Sequence, residues 1–190
     1  MSTPLSFEGA RSLSYAPSLR VARETGELLT RSRVGYSATA TQTRPDNTTA
    51  YTALDVVGAD PAAVLEFANI GPAGEHIEIT ASLLRIDINA VPSGMAGQRL
   101  HLFNAAPTAI ADNAAFDLPS GDRAKYLGFI DLGTPIDLGA TLAVQSKGQG
   151  HVVKLATGVT SLFGVLQTID GYTPASQTVT TITLRSLTVG

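Results

Sequence analysis

The stretch His76-Ile77-Glu78-Ile79-Thr80-Ala81-Ser82-Leu83-Leu84-Arg85-Ile86-Asp87-Ile88-Asn89 decides how this chain is read. Ile77, Ile79, Ala81 and Leu83 recur at every second residue, the period that places side chains on one face of a β-strand. Leu84, Ile86 and Ile88 continue the alternation on the opposite parity. A slip of one residue turns an apolar face toward water unless the extra residue is absorbed. A β-bulge absorbs it. The pattern therefore predicts a bulge near Ser82–Leu84, or a strand that leaves one sheet for the other there. Ile77, Ile79, Leu83, Ile86 and Ile88 are the expected core residues.

The same reading extends outward. Upstream, Tyr36, Ala38, Ala40 and Gln42 alternate with Ser37, Thr39, Thr41 and Thr43, and Arg44-Pro45-Asp46-Asn47 is a turn. Tyr51–Val57 reads as a strand closed by Gly58, and Asp60-Pro61 and Gly71-Pro72 punctuate a loop. Downstream, Pro92-Ser93-Gly94 is a turn, Arg99–Asn104 a short strand and Ala105–Arg123 a loop. Lys125–Leu132, Leu138–Gln145, His151–Leu155, Ser161–Ile169 and Val179–Val189 read as strands, with Gly133, Gly148-Gln149-Gly150, Gly158 and Asp170-Gly171 between them. Strands recurring at roughly 8–12 residues predict an all-β protein, an antiparallel β-sandwich of jelly-roll-like form. That domain is placed at 36–190. Residues 1–35 show no sustained period and read as an extended N-terminal arm, with a short helix over Leu19–Thr30 as the alternative within it.

The chain has 190 residues, 44% of them apolar, enough for one core. Only 15% are charged, against the ~25% of ordinary soluble domains. Such a surface has little to keep neighbours away, which points to coverage by partners. The charge is uneven. Residues 1–44 hold six arginines (Arg11, Arg20, Arg23, Arg31, Arg33, Arg44) against Glu8, Glu24 and Glu27, a balance of +3; with −3 for the whole chain, the remainder carries −6. Every basic residue in the arm is arginine, the residue favoured at interfaces for its persistent contacts with carboxylates and phosphates. There is no cysteine, so disulfides and thiolate chemistry are excluded. Met1–Ser6 shows no basic region followed by an apolar run, and no stretch approaches the ~18 apolar residues of a membrane helix. Synthesis in a cytoplasm without membrane insertion is the expectation.

The search for chemistry yields no site. A catalytic nucleophile needs a neighbouring base; Ser93 stands in Pro92-Ser93-Gly94-Met95, which reads as a turn. His76, His101 and His151 are far apart in sequence and read as solvent-facing positions, although His76 and Glu78 share a strand face. Asp112, Asp117 and Asp122 recur every five residues and offer oxygen ligands suited to calcium, yet they lack the dense Asp/Asn/Gly spacing of a binding loop. Phosphate-cradling glycine motifs are absent. The region beyond the arm is acidic and tryptophan-free, which argues against a nucleic-acid surface. The expectation is a protein that is not an enzyme and that carries no metal and no cofactor.

One further signal is a resemblance. Arg99-Leu100-His101-Leu102-Phe103-Asn104-Ala105-Ala106-Pro107-Thr108, then Asp112-Asn113-Ala114-Ala115-Phe116, Lys125-Tyr126-Leu127-Gly128-Phe129-Ile130 and Leu162-Phe163-Gly164-Val165-Leu166-Gln167-Thr168, together resemble a family of small virion proteins of tailed bacteriophages. The likeness runs from about Tyr51 to Gly190. It implies a head decoration or accessory capsid protein, bound to the major capsid protein or to other virion subunits. It also implies a homo-oligomer, trimer or dimer, located in the virion after synthesis in the host cytoplasm. No functional residue carries over from the family. From the residues themselves, the expected partner contacts lie in the arm, at Arg11, Leu13, Leu19, Arg20, Arg23, Leu28, Leu29, Arg31 and Arg33. The competing reading is a receptor- or carbohydrate-binding module of a phage tail or fibre; sugar binding favours aromatic platforms, and this chain has no Trp and five Tyr.

Overall fold

A computed structural model describes residues 33–59, 61–62 and 64–189, together with the backbone of Leu19–Val21 and Leu28–Thr30. Those two short segments, β1 (Leu19–Val21) and β2 (Leu28–Thr30), pair antiparallel, with Arg20 opposite Leu29. Strands thus stand at both ends of the span for which a helix was the alternative. Val34–Val189 forms a separate compact unit.

That unit is built from β3 (Gly35–Thr43), β4 (Leu65–Phe67), β5 (His76–Ile86), β6 (Gln98–Phe103), β7 (Tyr126–Gly133), β8 (Ile136–Asp137), β9 (Leu142–Lys154), β10 (Leu162–Thr168) and β11 (Val179–Thr188). One sheet runs β3-β11-β5-β9-β8 and the other β4-β10-β6-β7. Every pairing is antiparallel. The pairs nest: β3 with β11, β4 with β10, β5 with β9, β6 with β7. This unit is in effect one long hairpin, doubled on itself and rolled so that successive pairs fall in alternate sheets. This is the jelly-roll order, with β8 as a short extra edge.

Inner faces of both sheets meet in one core. Ile77, Ile79, Leu84 and Ile86 of β5 and Ile182 and Leu184 of β11 pack on it from one side; Leu100 and Leu102 of β6 and Leu162 and Leu166 of β10 do so from the other. β-branched and leucine side chains suit these positions because they fill a pleated surface in few rotamers. Gly164 lies inward on β10, where a Cβ would stand 2.8 Å from Leu100 Cδ1; only glycine leaves room for that leucine.

Strand β5 does change parity, but the register shift lies between Ile79 and Ala81, against Gly148–Gly150 of β9 and Arg185/Ser186 of β11. Ala81 and Ser82 are both buried, so the inward face passes to Leu84 and not to Leu83, which is only half-buried. The expected burial of Leu83 is therefore corrected. The reason is that Ser82 is small enough to enter the core, where its Oγ accepts from Gln149 Nε2 at 3.1 Å. Ile88, beyond the end of β5, is half-buried.

Three other expectations change. Tyr51–Val57 is not a regular strand: Leu54 sits at φ 72 and interrupts it, leaving single bridges from Asp55 to Ala115 and from Val56 to Gln167. Leu65–Phe67, read as loop, is β4. The segments placed at Leu138–Gln145 and His151–Leu155 are largely one strand, β9, continuous through the glycine bulge, while Leu138 itself lies outside it.

Candidate functional site

The described polar side chains with the most interactions are buried, and they hold loops. Arg44 follows β3 on the inward parity of Ala38, Ala40 and Gln42, which brings a guanidinium into the interior. All five of its N–H donors are used. Nε donates to Tyr51 Oη at 2.6 Å; Nη1 donates to the Asn47 and Ala175 carbonyls at 2.8 and 3.0 Å; Nη2 donates to Asn47 Oδ1 at 3.0 Å and Asp112 Oδ2 at 2.9 Å. The other Asp112 oxygen accepts from Tyr51 Oη at 2.6 Å and from the Gly58 amide at 3.0 Å. Burial, with the Asp112 carboxylate beside it, pushes the Tyr51 phenol well above its ordinary value. The cluster ties the end of β3, the segment that follows it, the 105–119 loop and the 172–178 loop into one closed network. Its chemistry is complete without a ligand.

A second cluster lies on the outer face of the sheet β4-β10-β6-β7. His101 is buried, which corrects its reading as solvent-facing. Its ring stacks on Phe116, centroids 3.8 Å apart and 12° from parallel. Gln167 Nε2 donates to the Leu54 carbonyl at 2.9 Å, so Gln167 Oε1 is the acceptor facing His101 Nε2 at 3.0 Å. In the neutral imidazole the proton therefore sits on Nε2, and Nδ1, 3.0 Å from Tyr126 Oη, accepts from it. Burial lowers the His101 pKa, outweighing the opposing bond from Gln167. Val56, Phe103 and Val165 form a small second core here, with Ile110, Phe116 and Leu118 of the long loop packed on it. His76 is exposed, and the half-buried His151 sets Nε2 3.1 Å from the Leu127 carbonyl.

The aspartates at five-residue spacing are not brought together. Asp112 belongs to the Arg44 network. Asp122 accepts from Lys125 Nζ at 2.7 Å and from the Thr108 amide at 2.8 Å, and these bonds hold its pKa down to about 2. Asp117 is exposed. Among the described residues no group of three or more His, Asp or Glu could hold a metal ion. Ser93 is exposed. Of the arm positions, Arg11, Leu13, Arg23 and Arg31 lie outside the described residues; Leu19, Arg20, Leu28 and Leu29 are described in backbone only, and Arg33 is exposed.

The surface completes the picture. The outer face of β3-β11-β5-β9 is built in rows set by register: Thr41-Thr181-Arg85-Ala143, Thr39-Thr183-Leu83-Gln145 and Ser37-Arg185-Ala81-Lys147. Hydroxyls and three cations occupy it, and no carboxylate stands in these rows. An open groove of about 590 Å³ lies at one end, lined in part by Asp87, Asn89, Pro92, Thr173 and Pro174.

No family model matches the chain, and no curated protein matches it. The resemblance to tailed-phage virion proteins thus has no matching family behind it. Among solved structures the chain is similar to one of Desmodium yellow mottle tymovirus, at 13% identity over 99% of this chain and 96% of that one, TM-score 0.27. It is similar to one of turnip yellow mosaic virus, at 10% identity over 90% and 88%, TM-score 0.26. A third is of the Israeli acute paralysis virus full particle heated to 63 degrees, at 15% identity over 96% and 85%, TM-score 0.25. Likenesses at these TM-scores carry no argument, and the jelly-roll order rests on the strand pairing alone.

Proposed function

We propose that this chain is a non-enzymatic structural subunit of a virus particle, and more finely a decoration protein that braces a phage head shell through protein–protein contacts. One observation carries the reading: the Arg44, His101 and Asp122 clusters of this jelly roll are spent on fastening loops, and a broad, hydroxyl-rich sheet face is left outside. Viral capsid domains, lectins and cupins are the common users of the jelly roll. A cupin-like role would need gathered metal ligands, which the described residues lack. Fold alone does not assign function; the low charge and the arginine-rich arm add weight to assembly. In this reading Arg11, Arg20, Arg23, Arg31 and Arg33 pair with carboxylates of the shell, and Leu13, Leu19, Leu28 and Leu29 enter apolar grooves.

The groove between Asp87–Pro92 and Thr173–Ala175 favours a second reading, a carbohydrate-binding module, since Asp87, Asn89 and Thr173 offer hydrogen bonds. No aromatic side chain lines it, which ranks it below the first. The test adds purified full-length protein to purified phage heads stripped of accessory proteins. Saturable co-sedimentation, with a higher temperature of DNA release from the heads, is expected. No co-sedimentation, together with binding on a glycan array, would reverse the ranking.

A further inference from the structure

The two sheets have four edges, and three are blunted. β4 is three residues long; β8 covers only two residues of β9, whose remaining edge is broken at Gly148–Gly150 and charged by Lys147 and Lys154. β7 is irregular, with register shifts against β6 at both ends and Asp131 on the strand. Short strands, irregular pairing and charge are the devices by which proteins prevent edge-to-edge pairing. β3 uses none of them. It is nine residues long, Gly-Tyr-Ser-Ala-Thr-Ala-Thr-Gln-Thr, without charge or proline, and it pairs with β11 without a shift. Among the described residues no strand is hydrogen-bonded to its other side, although β4 of the opposite sheet stands near it.

Which backbone groups are free follows from the ladder. Thr188 N donates to the Val34 carbonyl at one end, and Arg44 N to the Thr178 carbonyl at the other. Bonded residues alternate in an antiparallel pair, so Tyr36, Ala38, Ala40 and Gln42 turn their N–H and C=O toward β11. Gly35, Ser37, Thr39, Thr41 and Thr43 turn theirs outward, and all five are exposed.

We infer that β3 is the interface of a twofold homodimer, in which β3 of one copy pairs antiparallel with β3 of a second about Thr39. In that register Thr39 faces Thr39 of the second copy, Ser37 faces Thr41, and Gly35 faces Thr43. Each outward group finds its complement, giving about ten hydrogen bonds, two per bonded couple. On the exposed face hydroxyl meets hydroxyl. Toward β11 the same threonines stand in the closer, non-bonded couples, where Thr39 Oγ1 lies 2.9 Å from Thr183 Oγ1 and Thr41 Oγ1 3.2 Å from Thr181 Oγ1; the dimer couples are the wider, bonded kind, which leaves room for hydroxyls on both strands. On the inward face Ala38 meets Ala40, small enough for the closer approach of the non-bonded couples. The occupant is a second copy because the edge complements itself and carries no charge, so two chains of net charge −3 approach here without opposing like charges. The contact is isologous and closes at two.

The test weighs the full-length protein by sedimentation equilibrium. A mass twice 19.7 kDa is expected. Thr39→Pro removes an outward N–H at an edge position that tolerates proline, and should leave a folded monomer by circular dichroism. Thr39→Lys and Thr39→Glu should each be monomeric alone and dimeric when mixed, because position 39 would then meet the opposite charge on its own counterpart. A monomeric native protein, a dimer that survives in both charge variants, or a mixture that stays monomeric overturns the proposal. Should the proline variant unfold, the charge pair still decides. The dimer does not rest on the particle reading: failure to bind heads leaves it standing, and a monomer leaves head binding open.

Discussion

The two sheets share one core but present opposite outer faces. On β4-β10-β6-β7 the outer face is roofed: the 105–119 loop lays Phe116 on His101 and encloses a second apolar cluster with Phe103 and Val165. On β3-β11-β5-β9-β8 no described loop covers the outer face, which carries threonine, arginine and lysine, with Glu78 in the row Gly35-Leu187-Glu78-Val152. An antiparallel sheet tolerates water on one face, so bareness needs no cover, whereas the roof has to be held down. The buried polar networks sit where the roof and the end loops are tied.

Several substitutions would break or sharpen this contrast. The largest effect is expected from Asp112→Ala, which removes the carboxylate from a pair whose side chains are 2% and 6% exposed. An unpaired buried guanidinium would remain, and breaking such pairs costs about 3–5 kcal/mol. Urea denaturation should show it; a midpoint equal to that of the native protein would mean that the network fastens nothing. Next comes a neighbouring couple on β5. Leu84→Ala should cost roughly 2–5 kcal/mol as a core truncation, whereas Leu83→Ala, on the bare face, should cost under about 1 kcal/mol. Equal losses would refute the assignment of the two faces.

The roof should also respond to pH. The His101 pKa is lowered in the folded state, so its contribution is present above the unfolded value near 6.5 and is lost as pH falls through the folded value. Thermal melts should show native protein losing stability on acidification below neutrality more steeply than His101→Gln. Parallel profiles would show that this imidazole does not couple to folding. Smallest is Arg99→Ala. Arg99 Nε meets Asp131 Oδ1 at 2.8 Å at the half-exposed margin of the roofed face, and exposed pairs are worth about 0–1 kcal/mol; a melting change beyond that range would put Arg99 inside the roof.

Much of the bare sheet was legible because its strands are long and each buries one face. β3, β5 and β11 stand where alternation places them. The parity change in β5 was legible as well, though its place was not, since a buried serine looks polar in a pattern. The roofed sheet was harder. Both faces of β6 are covered, so His101 between Leu100 and Leu102 lost its alternation signal, and β4 is too short to show a period. The Arg44–Asp112 pair joins residues 68 apart, which no local pattern reports. One signal did exist: Arg44 continues the inward parity of β3, a charge on a core face.

The nesting of the strands has a consequence in time. Thr39 and Thr183 touch although 144 residues separate them, and β11, which follows every other strand of its sheet in the chain, occupies a place inside that sheet. At ribosomal rates of about 5–20 residues per second, β3 emerges roughly 7–30 s before its partner. Closure of so distant a pair is slow in itself. During that interval both sides of β3 are bare, and nascent chains crowded on one message would offer each other the wrong side. Slower initiation or a holding chaperone should therefore raise the yield of folded protein more than any stabilising change in the finished core.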